Sequence, residues 1–526
     1  MAIVRWNPPV EVGRQEAFVL KRCQKKRRLF AFLRENRHQI FDDEFQQELE
    51  VMYRDTGAGK EPLCPAMMAC ALILQGYLGV SDSDAVELSV ADLRWQMVLG
   101  RVGETVPAYS QGALFAFRDR LIAHDMDRRL LERTAAIARA TKGFDGKKLP
   151  KTLRIAIDSS PLNGAGRVED TINLIGHAAR KVVTCVAQLL DWEVDRVCRQ
   201  AGIPLLLEKS VKRALDRDWS DPQEKAEAVD VLARQVLSLE RWIEEKLPAE
   251  VGQPPLDRLL GVLHQIMEQD LDPDPGGKGF RIVDGVAPDR RISVEDGEMR
   301  HGRKSKSKRI DGYKRHVATD LDSQAILACA VTPANRPEHE ALPELKDDLD
   351  EQGIRFAEAH FDRGYMASPT VVEIQAQGAE ILCKPWNTGH GNLFTKEDFD
   401  LDLRSMTITC PAGQMAPIRF GQTVKLDPDT CAACRLRGAC TKARKGNGRS
   451  VSIAHDERLQ KKLREAAKTK SGRQRFCERV PVEHRLAHIG QRQGNDARYA
   501  GIRKNVYDLR RTAAIQNLET AQRKAS

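Results

Sequence analysis

The chain has 526 residues, 41% hydrophobic and 30% charged, too long for one ordinary core and apolar enough to build two or three packed units. Its net charge is +9, but from Thr441 to Ser526 there are 22 Lys/Arg against 8 Asp/Glu, a surplus of 14 that leaves the preceding chain at −5. The longest apolar run, around Met67 to Leu74, is far short of a membrane span, and no early stretch is ordered like a signal peptide; a cytosolic, nucleoid-associated protein is expected, its twelve cysteines thiols or metal ligands rather than a disulfide framework.

From Phe18 to about Ala140 apolar residues recur at helical spacing, through Met67, Cys70, Leu74 and Leu78 and again through Leu114, Phe117 and Leu121. Pro62 is expected to open one helix, Gly79 to close it and Ser81 to cap the next. Residues 1–145 therefore read as an all-helical domain, suited to DNA binding or to plain helical packing, which periodicity does not separate. At Thr152 the texture changes to strand alternation, Leu153, Ile155 and Ile157 against Arg154, Ala156 and Asp158, with Asp158 expected at the strand's end. A polar, helix-rich stretch over about 170–270, with Val229, Leu232 and Val236 at helical spacing, reads as an insertion that stops at the Pro/Gly-rich break Asp272 to Gly277.

Strands resume with Gly312 to Thr319 and Ala325 to Thr332, joined by a tight turn at Asp320 to Ser323. A helix around Glu340 to Glu351 follows, then the strand Phe356 to Phe361 running into Asp362, a helix from Ser368-Pro369 and a last strand Ala379 to Cys383. Strand with carboxylate, hairpin, helix, strand with carboxylate, helix, strand is the order of a ribonuclease H-like α/β core, which residues 150–526 are expected to carry. Fold alone does not establish function.

Transfer of a phosphoryl group in DNA needs an activated attacking oxygen and a stabilised leaving oxygen, and two divalent ions do both. Such hard cations, Mg²⁺ or Mn²⁺, take oxygen ligands. Asp158 and Asp362 end neighbouring strands, and Glu483 begins an amphipathic run with Val482, Leu486 and Ile489 that fits a helix against the sheet. One Asp at a strand end is more often a turn or cap residue, so the weight rests on the three together.

The segments Ile155-Ala-Ile-Asp158-Ser-Ser-Pro161, Phe361-Asp362-Arg-Gly-Tyr365, Val331-Thr-Pro-Ala-Asn335 and Arg479-Val-Pro-Val-Glu483-His resemble the DDE transposases of bacterial insertion sequences, the group with an N-terminal helical domain and a Cys-rich insert. The resemblance runs from about Pro62 to Leu518 and is weakest between Asp170 and Gln265. It implies metal-dependent cleavage at the element's terminal inverted repeats, strand transfer to target DNA, and a homodimer that brings two ends together. In the family's Tyr, Arg, Glu, Lys signature, Phe476, Arg479 and Glu483 are in register, while Gly490 takes the lysine position. Arg479 is then expected on a DNA phosphate, with Arg492 as substitute for the lysine. Glu478 is the rival acid, out of register by five. Arg498-Tyr-Ala-Gly501 and the Val506, Leu509, Ala513 helix also resemble the family's C-terminal segment. A catalytically silent DNA-binding derivative and a metal-dependent nuclease of the same fold are the alternative readings.

Between Asp362 and Glu483 lie 120 residues, and the second insertion there, about 388–470, carries Cys410, Cys431, Cys434 and Cys440. Four thiolates at this spacing suit a tetrahedral structural zinc or are simply thiols. Cys64, Cys70 and Cys329 fall on apolar faces and read as core. Basic clusters at Lys21 to Arg28 and at Arg300 to Arg315, the latter with Lys304, Lys306, Lys308 and Arg309, favour a polyphosphate partner or a solvated surface. Asn335 is a turn residue or an orienting one. His484 and His488 share a helix face without the glutamate of a His-Glu-x-x-His hydrolase, and no Gly-x-x-x-x-Gly-Lys-Ser/Thr loop occurs.

Overall fold

The computed structural model describes every residue except 1–4, 54–61, 141–148, 274–278, 305–306, 387, 389–390, 445 and 526. Among the described residues, eight helices, from Arg14–Lys25 to Met126–Arg139, form the N-terminal region around Phe30, Phe41, Phe45, Trp95 and Phe117. The Pro65–Leu78 helix starts three residues later than expected, at Pro65 rather than Pro62. Pro65 needs no N–H in the first turn, which explains the choice of start. Gly79 closes that helix at φ 71° and the Ser81 hydroxyl accepts from the Asp84 N–H at 3.0 Å, as the sequence requires.

Thr152–Asn163 is the central strand of a six-stranded mixed sheet. It pairs antiparallel with Arg309–Asp320 on one side and parallel with Arg355–Phe361 on the other. Arg309–Asp320 pairs antiparallel with Ile326–Pro333 and Arg300–Arg303, and Arg355–Phe361 parallel with Glu380–Leu382. Asp158 does not end its strand, contrary to expectation. Parallel pairing stops at Ile157 with Phe361, but antiparallel pairing continues to Asn163 with Gly312, because the long Arg309–Asp320 partner supplies hydrogen bonds that no short sequence window reveals. Asp158 and Asp362 are thus the next residues on two adjacent strands.

The helices Thr171–Leu190, Val194–Gln200, Val211–Leu215, Pro222–Lys246 and Leu256–Asp270 bury a core of their own around Val182, Leu232, Ile243 and Leu263. Of the expected break, Asp272 and Pro273 lie in a short strand and 274–277 fall outside the described residues. The Cys-bearing segment folds as two small sheets over Phe399, Leu401, Ile408, Ile418, Leu426, Val451 and Ile453. The last helix, Ile502–Ala525, is buried on several sides: Ile515 and Leu518 join the N-terminal core while Val506, Leu509 and Ala513 pack under the sheet. Among the described residues no helix is long and apolar enough to cross a membrane.

Candidate active site

Three elements bring Asp158, Asp362 and Glu483 together. Asp158 projects from the central strand where its parallel neighbour has ended, and its Oδ1 accepts from the Ser159 N–H at 2.8 Å. Asp362 caps the turn Arg363–Tyr365, accepting from the Arg363 N–H at 3.0 Å. Glu483 stands in the first turn of the Val480–Gln493 helix, which Val482, Leu486 and Ile489 hold against the sheet. The guanidinium of Arg479 lies among the three: Nη1 is 3.5 Å from Asp158 Oδ2, and Nη2 is 3.9 Å from Asp362 Oδ1 and 3.2 Å from Glu483 Oε1.

The electrostatics of this cluster are those of crowded negative charge. Burial pushes the Asp158 carboxyl up to about 6, and the charges of Asp362 and Glu483 add to the rise; the Ser159 N–H and Arg479 oppose it without cancelling it. Arg479 Nη1 is buried and makes no hydrogen bond, so the guanidinium compensates the acids by charge more than by directed bonding. The result is a cluster of three carboxylates around one guanidinium, hard oxygen donors of which the most buried, Asp158, is pushed toward protonation chiefly by burial.

A family model described as transposase DDE domain matches residues 409–521, and one described as Transposase domain (DUF772) matches residues 20–120. The two matches support a DDE transposase of insertion-sequence type. No curated protein and no solved structure matches it. The first match spans Cys410, Cys431, Cys434, Cys440, Arg479, Glu483 and most of the last helix; Asp158 and Asp362 lie outside both.

Arg492 does not take the place of the signature lysine. Nine residues after Glu483, about two and a half helical turns, it faces the opposite side, where it donates to the Tyr77 carbonyl at 3.1 Å and to Glu519 at 2.7 Å. Gly490 lies on the Glu483 side, and a Cβ there would stand 3.7 Å from Arg315 Nη2. Arg315, 2% exposed, donates to Ser160 Oγ, Pro161 O, Gln493 Oε1 and Gly494 O, and burial pushes it down to about 10. Sequence reading placed it only at the end of a basic cluster, with no role beside the acids.

Glu478 belongs to another cluster. It pairs with Arg154, which also holds Glu358 at 3.0 Å, and Glu358 accepts from His360 at 2.9 Å and pairs with Arg475 at 3.0 Å. Glu358, His360 and Glu478 stand close enough to share an ion, but two guanidiniums already neutralise them, so this is an ion-pair network. Sequence reasoning also missed the polar group beneath Asp362. His316, wholly buried, bonds to the Tyr365 hydroxyl at 2.7 Å and to Thr332 Oγ1 at 2.9 Å, while Ser159 Oγ donates to Glu338 at 2.6 Å. Tyr365 stood in a recognised motif; His316 gave no signal beyond its place on a strand.

The basic cluster at Arg300 to Arg315 divides. Arg303, Lys304, Lys308 and Arg309 are exposed on a two-stranded hairpin, Lys306 lies outside the described residues, Arg300 pairs with Asp289 at 3.0 Å, and Arg315 is interior. Asn335 donates to Asp289 at 3.0 Å, away from the acids. Cys410, Cys431, Cys434 and Cys440 line one cavity of about 690 Å³, and burial together with the other three thiols raises Cys440. Cys70 and Cys329 are core, as expected, while Cys64 is half-buried at a helix start.

Proposed function

We propose that this transposase catalyses metal-dependent cleavage and strand transfer at the ends of its own insertion sequence. The observation that carries the reading is the convergence of Asp158, Asp362 and Glu483 around Arg479. The strand order, the antiparallel Arg309–Asp320 with its own two partners on one side of the Asp158 strand and two parallel strands on the other, supports a ribonuclease H-like core within residues 150–526, interrupted by the helical segment near 170–270 and the Cys-bearing one near 388–470. Residues 1–145 would serve DNA binding, and a homodimer would hold two ends.

Asp158, Asp362 and Glu483 would hold two Mg²⁺ or Mn²⁺ ions. Such ions, when bound, activate the attacking oxygen and stabilise the leaving one. Arg479, freed from the acids, would hold a DNA phosphate beside them. The exposed lysines and arginines of the 300–309 hairpin would bind backbone phosphates, with Lys306 among them. Cys410, Cys431, Cys434 and Cys440 would hold a structural zinc, which the small core of their segment makes valuable to its folding.

The test is incubation of the purified chain with labelled duplex from the DNA flanking its coding sequence, with and without Mg²⁺. Cleavage at the element ends is expected only with metal, and Asp158→Asn, Asp362→Asn and Glu483→Gln should each abolish it while DNA binding persists. Binding without cleavage by the wild-type chain would make it a silent DNA-binding derivative, and cleavage indifferent to the ends would make it a nuclease.

A further inference from the structure

On the face of the Val480–Gln493 helix turned away from Glu483, a cavity of about 530 Å³ opens between that helix, the end of the Pro65–Leu78 helix and the last turns of Ile502–Ala525. Arg485, His488, Arg492 and Arg523 line it, and Glu519 is the one acid among the lining residues. Glu519 is already engaged by Arg492 at 2.7 Å. Arg485, 5% exposed, donates to Thr520 Oγ1 at 3.1 Å and Gln324 Oε1 at 2.7 Å, and Arg523 reaches the same Thr520 hydroxyl at 3.3 Å. Among the described residues neither arginine pairs with a carboxylate, which is unusual for the buried Arg485, while Arg523 is exposed at the cavity's rim. Burial and the neighbouring Arg523 push Arg485 down to about 10, and burial, Arg485 and Arg523 lower His488. Arg492 Nε is buried without a partner as well.

We propose that this cavity is a second DNA-contact site, which takes a backbone phosphate between Arg485, His488 and Arg523. Forked guanidinium donors facing an under-neutralised, half-enclosed space suit a tetrahedral oxyanion. Because a helix with its side chains is about 10 Å thick, a phosphate held here is not the one at the carboxylates. One helix would then carry Glu483 toward the scissile phosphate on one face and a phosphate clamp on the other. The inference rests on the proposed DNA-cleaving function.

The experiment measures binding of the full-length chain to duplex from the flanking DNA, in metal-free buffer, as a function of salt. His488→Gln/Arg523→Gln removes two donors near the surface; Arg523→Gln alone serves if the double variant melts lower than wild type. The slope of log affinity against log salt should flatten by about 0.9 for each phosphate that the variant no longer neutralises. A wild-type slope and affinity in a variant that melts like the parent overturns the clamp while leaving the cleavage reading standing. A wild-type chain that binds no duplex overturns both.

Discussion

Replacing Arg479 by glutamine removes the cation that lies among Asp158, Asp362 and Glu483, and metal binding should tighten as a result. The side chains of Asp362 and Glu483 are about half exposed, 49% and 51%, so after screening their pairs with Arg479 are worth on the order of 0.5 kcal/mol each. The Asp158 side chain is 15% exposed, and its pair at 3.5 Å contributes about 1 kcal/mol more in the lower local dielectric. A divalent ion entering the DNA-free protein competes with roughly 2 kcal/mol of existing attraction, a factor of about 30 in affinity. Calorimetric titration of Mn²⁺ into the DNA-free Arg479→Gln protein should therefore give a dissociation constant about 30-fold below that of wild type. Cleavage by the same variant should fall, since no guanidinium remains to hold the phosphate. Equal or weaker Mn²⁺ binding by the variant would refute the reasoning, because it would mean that Arg479 gathers the acids rather than competing for them.

Three further outcomes are expected. Metal analysis of protein prepared under reducing, zinc-replete conditions should find about one Zn²⁺ per chain, and Cys434→Ser should lose it and expose Lys442 and Arg444 to trypsin; no zinc in the wild-type protein would return the four residues to ordinary thiols. Neutralising Lys304, Lys306, Lys308 and Arg309 together should flatten the salt dependence of duplex binding, and an unchanged slope would make the hairpin a solvated face. His316 is pushed down by burial to about 3 from its ordinary 6.5, so the unfolded chain binds the proton that the native state refuses. Its contribution to stability is full above pH 6.5 and is lost as pH falls toward 3, a few kcal/mol in all at roughly 1.4 kcal/mol for each pH unit crossed. His316→Gln should thus be less stable at pH 7 yet decline less steeply between pH 6.5 and 3 in urea titrations; parallel curves would count against a buried neutral imidazole.

Local chemistry made much of this chain legible before any fold was known. Ser81 and Gly79 mark helix ends through backbone groups a few residues away, and the alternation from Leu153 to Asp158 marks a half-buried strand. Asp158, Asp362 and Glu483 stood out because three carboxylates beside those patterns have few structural uses, and the helical period alone puts Arg492 about half a turn away from Glu483. What depended on distant partners was not readable. The central strand runs five residues past Asp158 because Arg309–Asp320, more than 140 residues later, pairs with it. Whether Arg479 meets phosphate or carboxylate depends on how three elements converge, and their separations in sequence carry no distance. The helix Pro65–Leu78 is apolar around most of its circumference, which local pattern leaves unexplained, and only the return of Ile515 from the other end of the chain accounts for the buried side at Gly76. Burial and electrostatic neutralisation are settled by neighbours in space, and a linear sequence specifies those only through the fold as a whole.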